Sequence, residues 1–253
     1  MIAALLASLG LIAPAGWAPD IAAANAFAES RAGEVSFAVR TESRLWGREP
    51  DRVVRSASVV KALVLVTQLR AASDRSLTAR ERSLLAPMVR SSDNAATSKL
   101  VLWLGRERIE RTARRVGMPR FRLGSPWGGS EITAREQTRF FLHIDAAMPA
   151  RHRAYGMRLL QTIVPSQRWG VGEVAPAGWG LWFKGGWGSG AHAVDHQVAL
   201  LQRADERVAV AVLSTDQRSH HYGKVTLRGT FARLLSGLEG WRRRPVTHRL
   251  RRS

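Results

Sequence analysis

Strand-forming segments lie at the two ends of this chain, and helix-forming segments fill its middle. Residues 35–41 and 44–47 have the β-rich, alternating pattern of two short strands, which predicts a hairpin. Near the other end, apolar runs at 196–202 and 207–215 flank a predicted turn at 204–206. Because a sheet and its helices must bury a common core, this order predicts an antiparallel sheet built from both termini, with an all-helical lobe inserted between them.

The middle of the chain carries helical periodicity. Residues 20–31 predict a short amphipathic helix, and residues 56–72 predict a longer apolar one. Thr133 followed by Glu136 is a capping-box pattern, which predicts the start of another helix. Gly and Pro residues within 119–131 predict an irregular surface loop. The predicted helices are 20–31, 56–72, 80–89, 94–104, 106–116, 133–147 and 225–238.

The composition is strongly basic. The chain carries 39 Lys and Arg against 20 Asp and Glu, a formal net charge of +19. The arginines are scattered along the whole length, and only residues 241–253 form a dense basic cluster. We therefore expect no specific nucleic-acid partner, and instead electrostatic attraction to an anionic cell envelope. The chain has no Cys, which excludes disulfides and thiolate chemistry.

Ser58 and Lys61 form an S-x-x-K pattern at the start of the apolar helix. Residues three apart share a helix face, so the Lys amine can reach the Ser hydroxyl. That hydroxyl is a weak nucleophile until a base removes its proton, and a Lys serves where burial and a second cation lower its pKa. Alone, the pattern also fits a surface Ser and an ordinary Lys on a helix.

Two further motifs follow. SDN at residues 92–94 precedes a predicted helix, where it could serve simply as an N-cap. KGG at residues 184–186 follows an apolar strand, and a Lys followed by two glycines would let a cation and bare backbone approach a ligand closely. A strand that simply ends in a Gly-rich turn would have the same sequence pattern. Two of only four lysines, Lys61 and Lys184, fall in the three motifs of a chain that otherwise uses Arg, and only Lys deprotonates usefully near neutral pH.

In this order, the three motifs are typical of penicillin-binding proteins and class A β-lactamases. Over about residues 22–238 the chain resembles the class A β-lactamase-like serine hydrolases, a penicillin-recognising enzyme family. The resemblance implies a two-lobed α+β fold with a site in the cleft between the lobes, and no cofactor or metal. It also implies a small-molecule or peptide substrate, either a β-lactam or a cell-wall-like compound. We further expect a monomer that is secreted or attached to a bacterial cell envelope.

The same resemblance implies a role for each motif residue. Ser58 would be the acylated nucleophile, Lys61 its general base, and Ser92 the relay that protonates the leaving group. The backbone N–H groups of Ser58 and Trp187 would form the oxyanion hole. The implied substrate-binding residues are Asn94 for the amide, Lys184 for the carboxylate, and Gly185, Gly186 and Trp187 along the strand.

The chain departs from the family pattern in three places. The stretch between Ser58 and Ser92 is shorter than is typical. Gly185 stands where the family has Ser or Thr, which removes one donor to a substrate carboxylate. Residues 119–132 contain Glu131 as their only acid, and it does not match the E-x-x-L-N pattern of the deacylating Glu. Slow deacylation is expected, because general-base help is worth about 10²- to 10⁴-fold in rate.

Three functional hypotheses therefore remain open. The first is a serine hydrolase that turns over a β-lactam or a related amide or ester. The second is a penicillin-binding D-Ala-D-Ala peptidase or acyl-transferase, whose long-lived acyl-enzyme suits the missing Glu. The third is a non-catalytic relative that binds cell-wall peptides, against which the intact set of motif residues argues.

The histidines and tryptophans of the C-terminal half are less specific signals. His192, His196, His220 and His221 keep no recognisable metal spacing, so structural or surface roles are favoured over a metal site or a general base. Trp127, Trp179, Trp182 and Trp187 are candidates either for the pocket or for the core.

Domain boundaries follow from these assignments. The first residues are apolar but lack the Lys or Arg of a secretory signal, which predicts a truncated or atypical signal, the alternative being a buried first helix. The predicted segments are a signal-like segment at 1–19, a catalytic domain at 20–241 with an α/β lobe (20–57 and 166–241) and a helical lobe (58–165), and a basic disordered tail at 242–253.

Overall fold

The structure, a computed structural model, describes residues 16–189 and 193–241. Most of the predicted signal-like segment, the predicted basic tail and His192 lie outside the described residues. No helix in the described ranges is long and apolar enough to cross a membrane. The strands of this part of the chain are β1 (Glu34–Arg40), β2 (Leu45–Arg48), β3 (Val54–Arg55), β4 (Glu131–Ile132), β5 (Gly180–Gly188), β6 (Val194–Arg203) and β7 (Glu206–Thr215).

Strands from both ends of the chain form one antiparallel sheet in the order β2-β1-β7-β6-β5. The predicted β1–β2 and β6–β7 hairpins are confirmed. The sheet joins the two ends where β1 pairs with β7. Strand β5 is one of the two edge strands, so the backbone groups on its outer side are not used by the sheet. The predicted fold class is confirmed.

Helices pack on the sheet and against each other. Helices α1 and α10 contact one another, and α10 and α6 both lie on β6 and β7, which explains why β7 is buried along nearly its whole length. The helices are α1 (Ile21–Glu29), α2 (Val60–Ala71), α3 (Ala79–Arg90), α4 (Asn94–Leu104), α5 (Arg106–Arg115), α6 (Ala134–Leu142), α7 (Ile144–Ala147), α8 (Ala150–Gln161), α9 (Val171–Val174) and α10 (His220–Leu234).

Helix α2 is the centre of the helical region. Every residue from 60 to 69 is buried, and α2 contacts α3, α4, α5 and α8. A helix that is apolar all round is stable only inside a protein, which explains the pattern of this segment. The start of α2 is therefore a rigid base for the side chains that project from its first turn.

The structure corrects several predicted boundaries. The helix predicted at 133–147 is broken at His143, so that α6 ends at Leu142 and α7 begins at Ile144. Helix α8 was not predicted, because Arg and His interrupt its apolar positions. The loop predicted at 119–131 contains a 3-10 turn, Trp127–Gly129.

Two corrections concern elements near the predicted site. Strand β5 does not end before the KGG motif but continues through it to Gly188, because its pairing with β6 is unbroken across both glycines. Helix α10 begins at His220 rather than at residue 225, because the Ser219 side chain accepts a hydrogen bond from the backbone N–H of Tyr222 and so caps the helix earlier.

Candidate active site

Ser58 lies in a 3-10 turn, Ala57–Val59, that directly precedes α2. The residue before it, Ala57, has φ +43°, a left-handed conformation that is uncommon for a residue with a side chain. Ser58 is partly exposed on the wall of a cavity of about 480 Å³. The cavity is lined by Arg55, Ala57, Ser58, Asn94, Ser125, Pro126, Trp127, Gly128, Gly129, Trp187, Gly188 and Val194.

Lys61 is completely buried in the first turn of α2. Its Nζ donates hydrogen bonds to the backbone oxygen of Ser92 at 2.5 Å and to Asn94 Oδ1 at 2.8 Å, and lies 3.1 Å from Ser92 Oγ. The Ser58 hydroxyl makes no hydrogen bond to another described residue. The amine therefore lies among the polar atoms of the SDN motif rather than on the Ser58 hydroxyl in this state.

Ser92 connects the two lysines of the motifs. It has φ +61° and is buried between α3 and α4, and its Oγ lies 3.1 Å from both Lys61 Nζ and Lys184 Nζ. A left-handed residue with a side chain persists only when its surroundings hold it there, and such residues often lie at functional sites. Lys184 is completely buried on β5, and its Nζ also donates to the Gly185 carbonyl at 2.8 Å.

Burial determines the charge of this cluster. Loss of solvation lowers the pKa of Lys61 to about 8, with a small opposing effect of Asp93. Loss of solvation, followed by the charge of Lys61, lowers the pKa of Lys184 well below its usual value. Near neutral pH about a tenth of Lys61 is therefore the neutral amine, the form that can accept a proton. When Lys61 is protonated, both lysines can donate to Ser92 Oγ, which leaves its own hydroxyl hydrogen for another acceptor. Neutral Lys61 has only two N–H groups, and the oxygens of Ser92 and Asn94 accept both.

Strand β5 runs close to the turn that carries Ser58. A Cβ on Gly186 would lie only 2.7 Å from the backbone nitrogen of Ser58 and 2.9 Å from the Ser56 oxygen. No residue with a side chain fits there without moving the strand. At Gly185 a Cβ would lie 3.4 Å from Trp169 Cη2, an ordinary contact, so Trp169 covers the position where the family has a hydroxyl residue.

Tryptophans form two walls of the cavity. Trp127 and Trp187 both line it, so of the two roles that the sequence left open for them, pocket or core, the pocket is the one observed. The Trp127 indole donates to Ser98 Oγ at 3.0 Å, and its ring centroid lies 4.9 Å from Lys61 Nζ. By contrast, Trp179 stacks on Trp241 with ring centroids 6.0 Å apart and is absent from the cavity lining. Trp182 packs against the hydrophobic core instead.

The histidines near the site have different surroundings. His196 is completely buried, accepts a hydrogen bond from the Ser214 N–H at Nδ1 and bonds through Nε2 to the Arg55 carbonyl. Burial lowers the pKa of His196 to about 4, so it is a neutral structural group. His220 bonds to Asp195, and His221 is exposed. Among the described residues no group of three His, Asp or Glu could hold a metal ion.

Several cavity residues were not singled out in the sequence. Arg55, Ser125 and Pro126 line the cavity but carry no motif, and Trp169 reaches the site from the segment before α9. Their only signals were the Gly- and Pro-rich composition of the loop and the unusual number of tryptophans after residue 165. No Asp or Glu is among the described residues that line the cavity.

Several solved β-lactamase structures share this fold. A β-lactamase from Sphaerobacter thermophilus superposes with a TM-score of 0.72 at 21% identity, covering 85% of this chain and 95% of its own. A class A β-lactamase from Mycobacterium abscessus has a TM-score of 0.71 at 18% identity, with 84% and 96% covered. A β-lactamase from Xanthomonas campestris has a TM-score of 0.73 at 12% identity, with 83% and 94% covered. These likenesses establish a class A β-lactamase-like fold.

Residues 76–237 match the profile of the beta-lactamase enzyme family, and the chain belongs to that family. No curated protein sequence matches the chain. The family and the fold together imply a hydrolase.

Proposed function

We propose that this protein is a serine hydrolase that acts on a β-lactam or a related amide or ester through an acyl-enzyme on Ser58. The observation that carries the proposal is the convergence of Lys61, Ser92 and Lys184 in one hydrogen-bonded cluster beside the cavity that Ser58 lines. A structural role for this cluster is unfavourable, because two buried amines that pair with no buried acid among the described residues are costly to fold.

The proposed acylation step uses each of these groups once. Neutral Lys61 accepts the Ser58 hydroxyl proton while Oγ bonds to the acyl carbon, and the C–N or C–O bond of the substrate then breaks. Ser92 gives its proton to the departing nitrogen or oxygen and regains one from the Lys61 ammonium. A small movement of the Lys61 or Ser58 side chain is required first, since catalytic hydrogen bonds often tighten only when substrate binds.

Backbone donors would stabilise the charge that forms on the acyl oxygen. The N–H groups of Ser58 and Trp187 are the proposed oxyanion hole, and the close packing of Gly186 on the Ser58 turn holds these two backbone segments together. Asn94 lines the cavity and turns Oδ1 toward Lys61, which leaves its amide NH₂ to donate to a substrate carbonyl.

Deacylation is proposed to be slow. The described part of the cavity wall provides no carboxylate to activate water, and its loop segment consists of Ser125, Pro126, Trp127, Gly128 and Gly129. This observation favours a second candidate function, a penicillin-binding D-Ala-D-Ala peptidase or acyl-transferase, in which a nucleophile other than an activated water receives the acyl group.

The charge of the chain supports a proposed location. We propose that the net charge of +19 attracts the protein to anionic polymers or lipids of a bacterial cell envelope. Binding to anionic-lipid vesicles should then weaken steeply as salt is raised from low to physiological concentration. Binding that is absent at low salt would contradict this part of the proposal.

The test of the proposed function is intact-protein mass spectrometry after brief incubation with a penicillin. Wild type should gain the mass of one penicillin, and Ser58→Ala should gain none. Ser56→Ala is the matched control, because Ser56 is two residues away and buried, and it should still form the adduct. An unmodified wild type with no loss of free penicillin would contradict the proposal for this substrate class.

A further inference from the structure

Trp187 belongs to a cluster of three rings beside the cavity. Its ring stacks on the His220 imidazole at 5.7 Å between centroids with 24° between the planes. Trp169 meets both rings edge-on, at 5.8 Å from Trp187 and 5.4 Å from His220. The indole that lines the cavity is therefore held from behind by two other rings, which come from the segment before α9 and from the first residue of α10.

A buried acid fixes the imidazole. His220 Nδ1 and Asp195 Oδ1 share a hydrogen bond of 2.6 Å, and Asp195 is completely buried on β6. Asp195 is also the residue opposite Trp187 in the β5–β6 register. Helix α10 leaves room for the carboxylate at Gly223, where a Cβ would lie 1.9 Å from Asp195 Oδ2.

Burying Asp195 beside Trp187 costs folding free energy. Asp195 Oδ2 is buried and has no hydrogen-bond partner among the described residues, and an apolar side chain would fill the same space without that cost. Burial raises the pKa of Asp195 to about 8 and lowers that of His220, so both effects oppose an ion pair. Lys224 and His221, both on α10, are the titratable side chains that act electrostatically on the pair.

We infer that Asp195 and His220 are a positioning pair for the reaction, acting through Trp187. The hydrogen bond orients the imidazole, the stacked imidazole fixes the Trp187 ring, and the fixed residue holds its backbone N–H in place for the acyl oxygen. This inference rests on the proposed function of Ser58 and of the Trp187 N–H. Since an oxyanion donor must be placed accurately before the reaction begins, loosening Trp187 should affect the chemical step more than the binding of substrate.

The test separates binding from chemistry in the reaction with a fluorescent penicillin. Asp195→Ala removes the carboxylate, and His220→Phe keeps a ring on Trp187 but loses the hydrogen bond. Each should lower the acylation rate constant about tenfold with little change in the dissociation constant of the non-covalent complex. The double variant should be no slower than either single variant, because both remove the same hydrogen bond.

His221→Gln is the matched control, since His221 is the exposed neighbour on the same helix, and its kinetics should equal those of wild type. Thermal unfolding of each variant shows whether it is folded at the assay temperature. Variants that are folded and react at the wild-type rate, or that lose only binding, would overturn the inference.

A ligand-free measurement distinguishes failure of this inference from failure of the proposed function. The proton in the 2.6 Å hydrogen bond should resonate far downfield in the NMR spectrum of wild type and be lost in His220→Phe. Wild type that shows this proton but forms no adduct would contradict the proposed function. The proposed positioning role of Asp195 and His220 in the reaction would then be contradicted as well. Absence of the proton from folded wild type would contradict the pair itself.

Discussion

The two sides of the cavity differ in how they are built. The lysine side, comprising Lys61, Ser92 and Lys184, comes from a buried helix, a helix entry and a strand, and its polar atoms are joined by hydrogen bonds of 2.5–3.1 Å. The loop side, residues 125–129, is a short irregular segment with no acidic side chain.

This difference assigns separate steps to the two sides. The lysine side holds the groups that form an acyl-enzyme in a fixed geometry, and burial lowers the pKa of its amines. The loop side would have to supply the base for hydrolysis, and it provides Ser, Pro, Trp and Gly instead. A site built in this way should acylate efficiently and deacylate slowly. The predictions below change one side at a time.

The largest effect is expected on the lysine side from Lys61→Arg. Arginine stays protonated at all useful pH values and cannot act as a base, so the acylation rate should fall about 10²- to 10⁴-fold. Stopped-flow fluorescence with a fluorescent penicillin measures the rate. The matched control is Lys99→Arg on the exposed face of α4, which should leave the rate unchanged. A Lys61→Arg variant that is folded and reacts at the wild-type rate would exclude Lys61 as the base.

The next effect concerns the contact between β5 and the Ser58 turn. Gly186→Ala would place a Cβ 2.7 Å from the Ser58 nitrogen, which must push the strand away, and acylation should slow by about 10²-fold. Gly185→Ala is the paired control, because its Cβ would make only ordinary contacts, the nearest at 3.4 Å. Equal rates for the two variants would show that the close approach at Gly186 does not matter for the reaction.

On the loop side, a carboxylate should accelerate deacylation. Gly128 lines the cavity, and a Cβ there would have the Ala57 Cα at 3.9 Å as its nearest neighbour, so Gly128→Glu should be accommodated. Decay of the adduct, followed by mass spectrometry, should become about 10- to 10²-fold faster. Gly128→Gln has the same shape without the base and should decay at the wild-type rate. If the adducts of both variants decay at the same rate, the missing general base is not the cause of slow deacylation.

The smallest expected effect is the change in acylation rate for each unit of pH. The reactive form of Lys61 is the neutral amine, and with a pKa of about 8 its neutral fraction rises with pH up to that value. Acylation should therefore become about tenfold faster per pH unit from pH 6 to near 8 and then level off. The hydrolysis of free penicillin is measured alongside and subtracted. A rate that falls as pH rises over this range would contradict Lys61 as a neutral base.

Local signals explain which parts of the molecule could be predicted. Helix α4 was predicted with its observed bounds because Asp93 caps its start, accepting from the Ala96 N–H, and Gly105 with φ +74° ends it. The motif residues were found because each motif occupies three or four neighbouring positions. The two motif lysines were also conspicuous in a chain that otherwise uses Arg.

Contacts between distant elements could not be predicted. The cluster of Trp169, Trp187 and His220 joins three segments whose packing no short pattern specifies. The continuation of β5 through two glycines depends on its pairing with β6, which overrides the turn preference of Gly. Likewise, the position of Trp127 over Lys61 depends on how an irregular loop folds back on the site.

The central claim is that this site acylates Ser58 faster than it releases the acyl group. A pulse-chase experiment measures both rates: wild type is mixed with a fluorescent penicillin, the free compound is removed, and the mass of the protein is followed with time. The account predicts an adduct that is complete within the pulse, absent in Ser58→Ala, and stable through a chase many times longer. An adduct on another residue, or one that vanishes as fast as it forms, would contradict it.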